Sequence, residues 1–171
     1  MDGDQDDIKC IDAGKLRLGL RIRDTDKPDS LISLEIEEPD DEMLALEGTG
    51  VPAAIQFGLL SFKLRVDAPG DETMVTIYLS GAAADHGKWY KYDPVNAEWV
   101  DYSAYITFGA DRKVAYLNLR DGGFGDADGI ENGIIVDPLA FGLSAESGAG
   151  SRTLESDGHN NSSGKACFIS T

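Results

Sequence analysis

Apolar residues fall at every second position through much of the chain, the period of a strand that buries one face. In KLRLGLRIR, Leu16, Leu18, Leu20 and Ile22 alternate with Lys15, Arg17, Gly19, Arg21 and Arg23. In LISLEIEE, Ile32, Leu34 and Ile36 stand opposite Ser33, Glu35 and Glu37. The same alternation sets Phe62, Leu64 and Val66 against Lys63, Arg65 and Asp67, and Val75, Ile77 and Leu79 against Thr76, Tyr78 and Ser80. Each run predicts a strand with one face in a core.

Turn residues fill the breaks between these runs. APGDE, at 68–72, combines the fixed φ of Pro69 with the permissive φ of Gly70 and predicts a hairpin. KWYKYDPVNAEWVDYSA predicts a second hairpin, in which Pro94 ends the pairing and Asn96 suits the turn. YITFGADRKVAYLNLRD predicts a third that turns at GADRK, and Ile134, Ile135 and Val136 form one further apolar run. Helical character is confined to PDDEMLALEG, acidic at its start and closed by Gly48, and to DPLAFGL, where Asp137 precedes Pro138; each has room for a turn or so. About eight strands at short spacing with Gly/Pro turns indicate an all-β fold, an antiparallel β-sandwich of Ig-like or jelly-roll-like type with little helix. The expected organisation is an acidic N-terminal tail at 1–14, a sandwich at 15–143, and a flexible Gly/Ser/Asn-rich linker with a C-terminal stub at 144–171.

The length, 171 residues, is enough for one domain with a real core. Fifteen Lys and Arg against 31 Asp and Glu leave a net charge of −16. Such a surface repels nucleic acid and anionic membranes, and it suits cations or a partner with a basic face. No apolar run approaches the ~20 residues of a membrane span, and MDGDQDDIKC has neither the basic start nor the apolar middle of a signal peptide. Two cysteines, Cys10 and Cys167, exclude a Cys₄ zinc site and leave open a single bond between the two ends.

The most unusual stretch is DGGFGDADGIENGIIVDP, at 121–138. Its carboxylates at 121, 126, 128, 131 and 137 repel one another unless solvent or a cation separates them, and its glycines let the backbone fold back on itself. Ca²⁺ takes six to eight oxygens from a sharply turning chain. An EF-hand register starting at Asp126 fails, because Ile130 falls at a ligand position and Glu131 at the glycine. The nonapeptide β-roll pattern fails at Ala127 and for want of tandem copies. The aspartate-rich core D-x-D-G-x-x-D/N of thrombospondin type 3 repeats matches better, at Asp126, Asp128, Gly129 and Asn132. The expected metal set is Asp121, Asp126, Asp128, Glu131, Asn132 and Asp137, with structural Ca²⁺ as the cofactor. DGDQDDI, at 2–8, resembles the tail of another such calcium repeat.

The aromatic hairpin is a second candidate site, with Trp89, Tyr90, Tyr92, Trp99 and Tyr102 on adjacent strands. Alternation separates Tyr90 and Tyr92 from Trp89, and Tyr102 from Trp99, so one set belongs to the core. The other could stack on sugar rings. No catalytic residue is assigned. His86 lies in a loop and His159 in the linker, and the carboxylates are too numerous for any one pair to mark a glycan hydrolase.

The order of motifs from GLLSFKLRVDAPGDETMVTIYLS, through KWYKYDP, to DGGFGDADGIENGIIVDP resembles the bacterial choice-of-anchor U domain over about residues 50–140. Phe124 stands where that family usually has proline. ACFIST, at the end, resembles the first residues of a CFI-box, found at the carboxyl terminus of some of the same surface proteins. The resemblance implies a non-enzymatic module of a secreted or cell-envelope protein, set just ahead of an anchoring segment. The partners it implies are neighbouring domains of the same protein, a surface partner or glycans, with no nucleic acid and no membrane insertion.

Overall fold

The computed structural model describes residues 8–13, 16–23, 30–39, 43, 51–93 and 96–144. They form ten strands: β1 (Lys9–Ala13), β2 (Leu16–Arg23), β3 (Ser30–Glu37), β4 (Pro52–Arg65), β5 (Glu72–Leu79), β6 (Gly87–Asp93), β7 (Glu98–Asp101), β8 (Ile106–Phe108), β9 (Val114–Arg120) and β10 (Ile134–Ser144). One turn of 3₁₀ helix, Ser103–Tyr105, lies between β7 and β8. The strands make two five-stranded sheets, ordered β1-β2-β5-β9-β8 and β3-β4-β10-β6-β7, and every pairing is antiparallel. The fold is an all-β sandwich.

The alternation read from the sequence is what closes it. Leu18, Leu20, Val75, Ile77, Leu79, Leu117 and Leu119 face inward from the first sheet and meet Phe62, Leu64, Trp89, Ile135, Leu139 and Phe141 from the second. A smaller cluster of Leu59, Tyr90, Trp99 and Ala140 lies on the other face of the second sheet, against Met43, Val51, Ile55 and Tyr92.

Four expectations change. The turn at 68–72 is not a hairpin, because β4 and β5 belong to different sheets; it is a corner at which the chain crosses the sandwich. Asp71 shapes it, its amide donating to the Ala68 carbonyl at 3.1 Å and its carboxylate accepting from the Ala68 amide at 3.0 Å. In β3 the ladder skips a residue between Leu31 and Ser33, so Ile32 points out, 48% exposed, while Leu31, Leu34 and Ile36 pack on the core. A bulge of one residue reverses the alternation on one side of it. DPLAFGL is strand, not helix: β10 runs through Pro138 between β4 and β6, and its ladder to β6 begins only at Leu139, past the residue that has no N–H to give. Lastly, Lys9–Ala13 pairs with β2, so the first sheet begins inside the stretch read as tail. The aromatic hairpin β6–β7 and the hairpin β8–β9 form as expected. Most of PDDEMLALEG, the segment 145–171 and the DGDQDD stretch lie outside the described residues, as does Cys167.

Candidate functional site

Residues 121–133 carry the chain from β9 in the first sheet to β10 in the middle of the second, beside the corner at 68–71. Asp121 ties the two crossings together. Its side chain is fully buried, and Oδ2 accepts from the amides of Gly70 at 2.8 Å and Gly133 at 2.9 Å. Its own amide donates to the Asp71 carbonyl at 3.0 Å, and Arg120 Nε donates to the Gly70 carbonyl at 3.1 Å. Burial pushes the Asp121 carboxyl up, but the amides of Gly70, Gly133, Asn132 and Ile134 together outweigh it and hold the group below its ordinary value.

Asp126 does for the inside of the loop what Asp121 does for its ends. Its oxygens accept from Gly122 N at 2.9 Å and Val136 N at 3.0 Å. Asp128 caps a turn, accepting from Ile130 N at 2.8 Å and from the Asn132 side-chain amide at 3.0 Å; Asn132 Oδ1 in turn accepts from Ile134 N at 2.8 Å. Glu131 pairs with Arg120 at 3.2 Å on the surface.

Asp137 is different. It sits on the core-facing side of β10 between Ile135 and Leu139, fully buried, with Lys91 Nζ 2.7 Å from Oδ1. Lys91 comes from β6, two positions after Trp89 and on the same inward face. Its ammonium also donates to the Gly125 carbonyl and lies 4.6 Å from the centre of the Tyr102 ring. Burial pushes Lys91 down and Asp137 up, and each charge opposes the other's shift. Burial likewise raises the Tyr102 phenol, helped by the Asp137 charge.

The expected calcium ligands therefore do not converge. Asp121 and Asp126 turn their oxygens to backbone amides, Asp128 and Asn132 to a local turn, Glu131 to Arg120, and Asp137 to Lys91. No group of three acidic, histidine or cysteine side chains shares a centre among the described residues. In this arrangement the side chains turn to these partners rather than to the common centre that six to eight oxygens around Ca²⁺ would need, and the cation that meets the buried Asp137 is the chain's own lysine.

The aromatic hairpin does not form an open platform either. Trp89 and Tyr102 lie in the main core, and Tyr90 and Trp99 are buried on the other face of the sheet, where Tyr92 packs at 5.3 Å from Trp99. Stacking on a sugar needs an open ring face, and none of these four buried rings has one. Trp99 Nε1 donates to the Met43 carbonyl at 2.8 Å, a structural role. The open rings are elsewhere: Phe124 and Tyr105, 55% and 47% exposed, lie 4.4 Å apart above Tyr102. Phe124 and Tyr92 stand on a cleft of about 280 Å³ whose polar lining includes Lys91, Asp93, Asp126 and Asp128. His86 is exposed in a turn, and His159 lies outside the described residues.

No family model, no curated protein and no solved structure matches this chain.

Sequence reasoning missed Lys91, Phe124, Tyr105 and the Gly70 amide as parts of this region. A signal for the first was present: period two from Trp89 puts a lysine on the core face of β6, as period two from Ile135 puts an aspartate on the core face of β10. Two opposite charges on the inward faces of strands that later prove adjacent are a pair in the making.

Proposed function

We propose that this chain is a non-catalytic β-sandwich module of a bacterial secreted or cell-surface protein, joining neighbouring domains or presenting an acidic face to a basic partner. Residues 121–137 act within it as a clamp that ties the sheets together. The observation that carries this reading is the double use of Asp121, which accepts amides from both sheet-crossing connections. The three buried carboxylates among the described residues, those of Asp121, Asp126 and Asp137, thus serve the fold, and the likeness of residues 50–140 to the choice-of-anchor U domain supports the location. Antibodies raised against the recombinant chain should label intact, unpermeabilised cells of the source bacterium or its culture supernatant. A signal that appears only after lysis would sink the reading.

Glycan binding moves from the hairpin to the cleft. Phe124 and Tyr92 offer aromatic walls there, with Asp93 and Asp128 as hydrogen-bond acceptors. If that second reading holds, a glycan array should score hits that Phe124→Ala loses while its melting temperature stays unchanged.

A further inference from the structure

We propose that Lys91 and Asp137 join covalently, forming an intramolecular isopeptide bond that staples β6 to β10. The strands are neighbours in the second sheet, with Leu139 opposite Lys91, so Asp137 lies diagonally across from the lysine on the same inward face. Lys91 Nζ is 2.7 Å from Asp137 Oδ1, and the carboxyl carbon is one bond further. The amine is thus held against the carboxyl group, and the entropy of bringing the two together has been spent on folding.

The buried aspartates of this region show why the pair stands out. Asp121 and Asp126 each accept two backbone amides, and those on Asp121 hold it as an anion. Asp137 is as buried as Asp121, yet among the described residues no backbone amide donates to either of its oxygens and Lys91 is its ionic partner, whereas Asp121 leaves only Oδ1 without a donor. A buried ion pair with incomplete hydrogen bonding recovers its desolvation penalty poorly. Amide formation removes both charges at once. Burial favours the uncharged forms that the reaction consumes, the free amine of Lys91 and the carboxylic acid of Asp137.

The step balances without a co-reactant. The ammonium proton passes to the carboxylate, the Nζ lone pair attacks Cγ, the Cγ–OH bond breaks, and the hydroxyl leaves as water with a proton from Nζ. One Nζ–Cγ bond forms, one Cγ–O bond breaks, one water is released, and the net charge is unchanged. Lys91 lines the cleft described above, which gives the water a way out, while the Tyr102 ring covers the amine from the core side. This goes beyond the proposed module role and does not depend on it.

Intact-mass spectrometry of the reduced, denatured full chain tests for the bond. The wild type, shown to be folded by circular dichroism and held at neutral pH, should weigh one water less than its sequence mass. A digest should contain a branched peptide joining the segments around Lys91 and Asp137. Lys91→Arg, which keeps the charge, should have its full mass. Asp137→Asn should lose ammonia instead of water, because the same attack then expels the carboxamide nitrogen. A folded wild type at full mass, or a cross-link between other residues, would overturn the proposal. The wild-type mass and digest separate these outcomes by themselves, whether or not the variants fold.

Discussion

Asp121 and Asp137 are both fully buried, yet they sit in opposite environments, and the difference is in what their oxygens meet. Two amides on Oδ2 hold Asp121 as an anion. Asp121→Ala leaves the Gly70 and Gly133 amides without their acceptor, at roughly 1–3 kcal/mol for each buried donor. Urea unfolding should show a loss of about 2–6 kcal/mol, and a loss below about 1 kcal/mol would mean that water reaches both amides. The depressed carboxyl fixes the sign of the pH dependence. The native chain binds this proton more weakly than the unfolded chain does, so the contribution is complete above the ordinary carboxylate value of about 4 and is lost as pH falls through the lower native value. The stability gap between wild type and Asp121→Ala should accordingly be widest at neutral pH and close in acid. A gap that stays constant down to the acid transition would contradict the assignment of the anion.

Among the elements, the connection from β9 to β10 depends on close approach of its backbone to the core. Gly125 has φ +112°, and a Cβ there would collide with Tyr102 Oη and lie 2.9 Å from Leu119 Cδ2. Gly125→Ala combines left-handed strain of about 1–2 kcal/mol with overpacking of similar size, so a stability loss of at least about 2 kcal/mol is expected in denaturant titration. Neutral behaviour would show that the loop is free to shift away from Tyr102. The strands of this region were legible in the sequence because period two is local: Phe62, Leu64, Val75, Ile77 and Leu79 are all buried where alternation put them. The corner at 68–72 was not, because a Pro-Gly turn reads the same whether the next strand pairs with the last or crosses to the other sheet. Acidic residues at 121–137 marked the right place, but their partners were invisible; the Gly70 amide is 51 residues from Asp121 in the chain. The aromatic hairpin misled for a related reason. Alternation separated its two faces correctly, but it could not show that Met43 and Val51 pack against the outer one.

For the whole molecule, the net charge of −16 sets a self-repulsion that the compact state feels more than the unfolded one. Within the clamp Asp121 and Asp126 are met by backbone amides and Asp137 by the Lys91 ammonium, so most of the destabilising field comes from the surface acids. Screening lengths fall from about 30 Å in 0.01 M salt to about 10 Å in 0.1 M, below the size of the sandwich. The melting temperature should therefore rise with sodium chloride over that range, by about 2–4 °C for each kcal/mol of repulsion removed. The same titration separates screening from metal binding. Calcium chloride at matched ionic strength should raise the melting temperature by little more than sodium chloride, since calcium meets the same diffuse charge and, among the described residues, no converged set of oxygens. EDTA should leave the transition where it was. A calcium increment of several degrees beyond the sodium curve, abolished by EDTA, would require Asp126 and Asp128 to release their amide partners and turn to a common ion, and would replace the self-neutralised clamp with a metal-bound one.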